Sequence, residues 1–255
     1  MIASMTQALG FDIGGSSIKW ARVDTDTGRL LSELRSIPLP APAGPVAVLR
    51  LIRDAVPPSD RLLPVGIGYP GVIKRGVTLT AAHMDPSFIA VDWLAQLRAA
   101  IGPNVALLND ADAAGLAELH FGAGTDFCRP EAGTVLVLTL GTGIGSALFH
   151  GGQLLPNTEF GHLRWNDRDI EDIAAASVRV REKLVWPEYA AQVNLFLGEM
   201  DRLLSPDLVI VGGGISENFN LLGPHLVARA RIVPARLGNA AGLIGAALYA
   251  ARASA

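Results

Sequence analysis

One short pattern occurs twice in the chain, in the same position of each half. "DIGGSSIK" spans 12–19 and "LGTGIGSA" spans 140–147. Each is a glycine-rich turn with hydroxyls, set between apolar runs. In the first half the apolar blocks 9–13, 18–23 and 30–37 are separated by "GGSS" and "DTDTG", which predicts an antiparallel meander of three strands. Residues 46–56 have helical periodicity, 63–68 read as a buried strand, and "VDWLAQLRAAIG" reads as an amphipathic helix ended by glycine. "NVALLND" is a strand that runs into a helix near Asp110. The second half repeats this grammar. "GTVLVLTLGTGIGSALFHGGQLL" gives strand, turn, strand, turn, strand, and a helix is expected around 170–203. "DLVIVGGGIS" is a strand into a glycine loop, and "NAAGLIGAALYAAR" is a small-residue helix. Such repetition predicts a duplicated α/β fold of two domains with a cleft between them. The expected division is 1–110, joined by the C-terminal helix 240–255, and 111–239.

Composition fits this architecture and removes several function classes. Half of the 255 residues are hydrophobic, only 18% are charged, and there are 28 glycines, as suits buried strands joined to helices by tight loops. A net charge of −3 gives no global positive field for nucleic acid. No apolar run is long enough to span a membrane, and the start has no signal-peptide pattern, so a cytoplasmic protein is expected. Cys128 is the single cysteine, so no intrachain disulfide and no cysteine zinc cluster can form.

Four segments could carry chemistry, and each also has an ordinary reading. In "DIGGSSIK", Gly14, Gly15 and Ser16 could cradle phosphates with backbone and hydroxyl donors. Asp12 could hold Mg²⁺ through water, and Lys19 could add a positive charge or face solvent. A plain hairpin explains the same residues. In "LGTGIGSA", Thr142 and Gly143 could form a second cradle; the match to a dinucleotide loop is poor because strand, not helix, follows. In "LLNDADAAGLAE", Asp110 ends a strand where α/β folds place their sites, and it could accept a proton from an attacking hydroxyl. Asn109 could bind a sugar hydroxyl. Equally, aspartate is a common helix cap, and Asp112 reads as first-turn charge. In "SVRVREKLVW", Arg179 and Lys183 would share a helix face with Arg181 nearly opposite, either as a solvated surface or as an edge for a polyanion.

Taken in order, "DIGGSSIK", "GYPGVI", "LLNDADAAGLAE", "LTLGTGIGSALFHGG", "PNTEFGHL" and "LVIVGGGIS" resemble the ROK family of sugar kinases and repressors. "PNTEFGHL", "AAASV" and "VPARLGNAAGLIGAA" are similar to its polyphosphate-using glucokinase branch. The resemblance implies an actin/hexokinase-like, ribonuclease H-like fold. It implies phosphoryl transfer to the 6-hydroxyl of glucose from inorganic polyphosphate, ATP, or both, with Mg²⁺. Asp110 would then be the base. Asn109, Glu159 and His162 would grip the sugar, and Gly71 would border it. Asp12, Gly14, Gly15, Thr142 and Gly143 would handle phosphates and Mg²⁺, while Gly213 and Gly214 match the segment facing adenosine. A homodimer is implied as well. Many relatives carry a cysteine-rich zinc motif after the E-x-G-H pattern; residues 163–185 hold no cysteine, so no zinc site is expected. Without a metal, His162 needs another partner to fix its tautomer, expected from a backbone carbonyl or a carboxylate within 167–172. Glu171 or Asp172 could stand in for a further sugar-binding glutamate. His83 stands where similar glucokinases tend to have asparagine, which bears on glucose against mannose. The nearest alternative is a strictly ATP-dependent glucokinase or glucomannokinase of the same family; a non-catalytic sugar sensor or regulator, from a different class, or a kinase of another small metabolite such as an amino sugar would share parts of the pattern.

Overall fold

A computed structural model describes residues 6–41, 43–82 and 84–254. His83 lies outside the described residues. The chain forms two compact units, Met1–Ala117 with Ala240–Ala255, and Glu118–Asn239.

The first unit is built on β1 (Gln7–Ile13), β2 (Ser17–Asp24) and β3 (Arg35–Pro38), which are antiparallel. Strand β3 begins later than the apolar pattern predicts. The Ser32 hydroxyl accepts the Arg22 amide at 3.0 Å, a side chain replacing a ladder carbonyl, and only Leu30 keeps an isolated bridge, to Val23. Helix α1 (Pro45–Ala55) starts on a proline, whose missing N–H costs nothing in a first turn. Then come β4 (Val65–Tyr69) and a small sheet of β5 (Ile73–Lys74), β6 (Val77–Thr78) and β7 (Val91–Asp92). Helix α2 (Trp93–Ile101) is capped by the Asp92 carboxylate, which accepts the Ala95 amide, and it ends at Gly102. Strand β8 (Val105–Asn109) leads straight into α3 (Asp110–Phe121). The main sheet runs β3-β2-β1-β4-β8, with β1, β4 and β8 parallel. Tyr69, Phe88 and Trp93 anchor its core, with ring centroids 5.0–5.6 Å apart.

The second unit repeats the order. Strands β9 (Thr134–Leu140), β10 (Ile144–His150) and β11 (Gln153–Leu155) form the antiparallel meander. A hairpin of β12 (Arg164–Trp165) and β13 (Arg168–Asp169) follows. The single helix expected around 170–203 is instead three: α4 (Glu171–Ala174), α5 (Ala176–Glu182) and α6 (Trp186–Leu204). Ala175 is extended, Lys183 takes a left-handed φ of 55° that closes α5, and Pro187 lies in the first turn of α6. Apolar periodicity persists across such breaks, which is why it does not reveal them. Strand β14 (Leu208–Gly212), α7 (Phe219–Leu222) and β15 (Arg231–Pro234) complete a sheet ordered β11-β10-β9-β14-β15. Strands β9, β14 and β15 are parallel, so the two sheets share one topology, as a duplication requires.

The final helix α8 (Ala241–Ala253) returns to the first unit. Its glycine and alanine content has a packing cause. A Cβ at Gly10 would sit 1.9 Å from the Leu243 carbonyl oxygen, one at Gly66 would sit 1.8 Å from that of Ala246, and one at Gly245 would sit 1.7 Å from that of Ala113. Backbone meets backbone at these crossings, and no larger residue fits.

Candidate active site

In the first unit the candidate residues gather at the ends of parallel strands. Asn109 is the last residue of β8 and is only 4% exposed. Its Oδ1 accepts the Asp112 amide at 3.0 Å, and its Nδ2 donates to the Gly71 carbonyl at 3.2 Å. Asn109 therefore caps α3 and ties the "GYPGVI" loop to β8. The helix cap is the asparagine, and Asp110 is the first helical residue, with Oδ1 accepting the Ala111 amide at 2.8 Å. Gly71 fits because a Cβ there would meet the Thr80 carbonyl at 2.8 Å and the Tyr69 ring at 2.9 Å.

The first glycine turn joins β1 to β2. The Gly14 amide donates to the Ser17 carbonyl at 2.9 Å, and Gly14, Gly15 and Ser16 are exposed. Asp12 and Lys19 are direct cross-strand partners. Burial pushes the Asp12 carboxyl up to about 6, with Lys19 pulling the other way. Its carboxylate packs against the first turn of α8, where a Cβ on Gly242 would come within 2.7 Å of it.

In the second unit, buried Ser146 explains how "NTEFGH" is held. Its hydroxyl donates to the Thr158 carbonyl at 2.7 Å and accepts the Phe160 amide at 3.0 Å, while the Thr158 hydroxyl returns to the Ser146 carbonyl at 3.0 Å. The second glycine turn and the Glu159–His162 segment are thereby locked together through β10. His162 Nδ1 lies 2.9 Å from Asp169 Oδ2, so the carboxylate partner expected within 167–172 is Asp169. Arg164 holds the other Asp169 oxygen at 2.9 Å. Glu171 Oε1 is 3.8 Å from the same ring nitrogen, and its Oε2 accepts the Ile144 amide at 3.0 Å. A Cβ on Gly143 would fall 2.5 Å from that oxygen, so the glycine turn is shaped around Glu171.

These carboxylates set the local electrostatics. Partial burial opposes a charged His162, but the Asp169 hydrogen bond with Glu171 and Glu159 outweighs it and raises the imidazole above its usual range. Burial raises Glu159, with His162 lowering it and Glu171 raising it. Asp169 is lowered, chiefly by hydrogen bonds from Arg164 and then His162. His162, Asp169 and Glu171 offer ligand atoms within 4.8 Å of one another, a grouping a cation could use, yet Arg164 and the imidazole already meet both Asp169 oxygens. Cys128 is exposed and belongs to a different segment.

The turn at 141–143 is also braced from the helical side. Ser177 donates its amide to the Gly141 carbonyl at 3.0 Å and its hydroxyl to the Thr142 carbonyl at 2.6 Å. Thr142 itself is exposed. Gly213 (φ 78°) lies beside the end of β9, where a Cβ would be 2.5 Å from the Leu140 carbonyl, and Gly214 is open. The second turn and the "VGGGIS" loop are thus neighbours. Arg179 and Lys183 do not share a face as expected: Arg179 stacks on Trp186 at 3.7 Å, and Lys183 leaves the helix at its left-handed cap. Sequence reasoning missed Ser146, Ser177 and Gly242. Only Gly242 left a signal, as part of the small-residue helix.

Comparison with known proteins agrees with this geometry. Residues 8–175 match the ROK family. The chain is 44% identical over 240 residues to a polyphosphate glucokinase of Mycobacterium tuberculosis, covering 94% of this chain and 89% of that one. It is similar to the crystal structure of an inorganic polyphosphate/ATP-glucomannokinase from Arthrobacter sp. strain KM, at 43% identity and a TM-score of 0.89, covering 97% and 99% of the two chains. A ROK family glucokinase from Streptomyces griseus, in complex with glucose and AMPPNP, shares the fold at 24% identity and a TM-score of 0.78 over 94% and 98%. With a duplicated sheet topology, two glycine turns at equivalent hairpins, and a family match across both, the chain belongs to the ROK family of actin/hexokinase-like sugar kinases.

Proposed function

We propose that this protein is a glucokinase that transfers a terminal phosphoryl group from inorganic polyphosphate, and also from ATP, to the 6-hydroxyl of glucose. The observation that carries the catalytic assignment is position: Asp110 is the first residue of α3, directly after the carboxyl end of parallel β8, where α/β folds place their sites. In this reading Asp110 takes the proton of the sugar hydroxyl. The hydroxyl oxygen bonds to the terminal phosphorus as the bond to the rest of the donor breaks, and the electron pair leaves with the shortened donor. Glu159 and His162 hold sugar hydroxyls, with Asn109 beside the base and Gly71 at the border. Gly14, Gly15, Ser16, Thr142 and Gly143 supply phosphate donors, with Lys19 adding charge near Asp12. Gly213 and Gly214 face adenosine when ATP is the donor.

Asp12 fits a role in holding Mg²⁺ through water. Its carboxylate is costly to ionise where it sits, and a nearby cation would offset that cost. Bound Mg²⁺ neutralises charge on the donor phosphates. A cytoplasmic homodimer is part of the same reading. Among the described residues no helix is long and apolar enough to cross a membrane.

Asp110→Asn tests the assignment. It keeps the shape and removes the base, so glucose binding by calorimetry persists while kcat falls by about 10²–10⁴-fold. Turnover near the wild-type rate would remove Asp110 from the role of base.

A further inference from the structure

We propose that Arg168 and Arg181 form a binding site for the donor polyphosphate beyond the phosphate that is transferred. This rests on the polyphosphate reading above and says where the rest of that chain lies. Between Arg164 and Lys183 there are five basic residues, and the structure separates them by what they already do. Arg164 is held by Asp169 at 2.9 Å. Arg179 is half-buried and stacked on Trp186. Lys183 ends α5 in the left-handed conformation. Arg168 and Arg181 remain, and they converge. The Arg168 guanidinium donates to the Asp172 carbonyl at 2.9 Å, and that of Arg181 reaches the same oxygen at 3.5 Å. Two like charges are brought to one neutral acceptor. Arg168 pairs with no carboxylate among the described residues, and Arg181 has only Glu182, its own neighbour, at 3.1 Å. Both arginines are exposed.

Paired guanidinium forks are suited to phosphate oxygens, which accept two parallel hydrogen bonds. Their location points to a chain of phosphates. Ser177 binds the second glycine turn through Gly141 and Thr142. Arg181 follows Ser177 by one helical turn, about 6 Å along α5. The pair therefore extends the phosphate cradle in a fixed direction, along the same unit of the protein. ATP has three phosphates and then a nucleoside, so it gains little from a further cationic site. A long linear polyphosphate gains a second anchor.

The test compares donors on Arg168→Gln, Arg181→Gln and the double variant, with Arg→Lys at both positions as a charge-preserving control. The donors are ATP, tripolyphosphate and long-chain polyphosphate. The double Gln variant raises KM for long-chain polyphosphate at least tenfold more than KM for ATP, and the penalty for tripolyphosphate is smaller than for the long chain. The slope of log KM against log salt for the long chain falls by about 0.7 per arginine removed. The Lys control recovers most of the salt slope. Retained ATP turnover shows that each variant is folded. Equal KM changes for ATP and long-chain polyphosphate, or none, overturn the site while leaving the donor reading intact. A wild-type protein that does not use polyphosphate at all overturns both.

Discussion

A histidine ring that is 59% exposed holds one tautomer only if one of its nitrogens is pinned. Asp169 can only accept, so neutral His162 carries its proton on Nδ1 and presents Nε2 as an acceptor. Arg164, on the far side of the carboxylate, keeps Asp169 ionised for this purpose. The raised His162 pKa means that the charged imidazole contributes stability below its ordinary range, for as long as Asp169 stays ionised, and loses that contribution as pH rises through the folded value. Asp169→Asn removes the charge and the preferred tautomer. The imidazole titration followed by NMR then moves to lower pH, and, under the proposed sugar-gripping role of His162, the pH profile of glucose affinity moves with it. An unmoved titration would mean that Glu159 and Glu171, not Asp169, govern the ring. His162 was legible in the sequence as a residue needing a partner within 167–172, because a known motif lacked its metal. That the partner is residue 169, and that Glu171 instead braces the Ile144 amide, was not legible, because the hairpin of β12 and β13 reverses the chain between His162 and Asp169.

At the scale of elements, the meanders and the strand-to-helix junction at Asp110 could be read directly, since period-two apolar runs and glycine turns are local signals. The break of 170–203 into three helices could not, because the left-handed residue that closes α5 is a lysine and not the glycine that usually marks such a cap. Helix α8 shows the opposite case, in which composition has a purely tertiary meaning. Its small residues exist because β1, β4 and α3 approach its backbone. Gly245→Ala and Gly66→Ala each destabilise the protein by about 3 kcal/mol, the upper end of overpacking costs, since the obstructing atoms are carbonyl oxygens that no rotamer change can move. Chemical denaturation with an unchanged m-value checks this. A loss within 0.5 kcal/mol would show that α8 shifts freely on the sheet.

For the molecule as a whole, the two hydrophobic cores share no residue. One is formed by side chains from Leu9 to Leu107 and the other by side chains from Leu136 to Ala230. Each unit thus has its own source of stability, while α3 runs from one into the other as a continuous helix. Without ligands, calorimetric unfolding is broader than a single two-state transition, with a van't Hoff enthalpy below the calorimetric one. A ratio of one would mean that the units unfold as one cooperative body. What the amino-acid order determined by itself was the duplication, the two glycine turns, and the motifs that mark the family. These are local patterns whose chemistry follows from residue type and spacing. Only the tertiary structure decided that Asn109 takes the cap of α3, that Ser146 and Ser177 brace the second turn, and that Arg168 and Arg181 meet at one carbonyl. Such outcomes depend on hydrogen-bond partners distant in sequence, and each polar group is taken by whichever partner the packed backbone brings within reach.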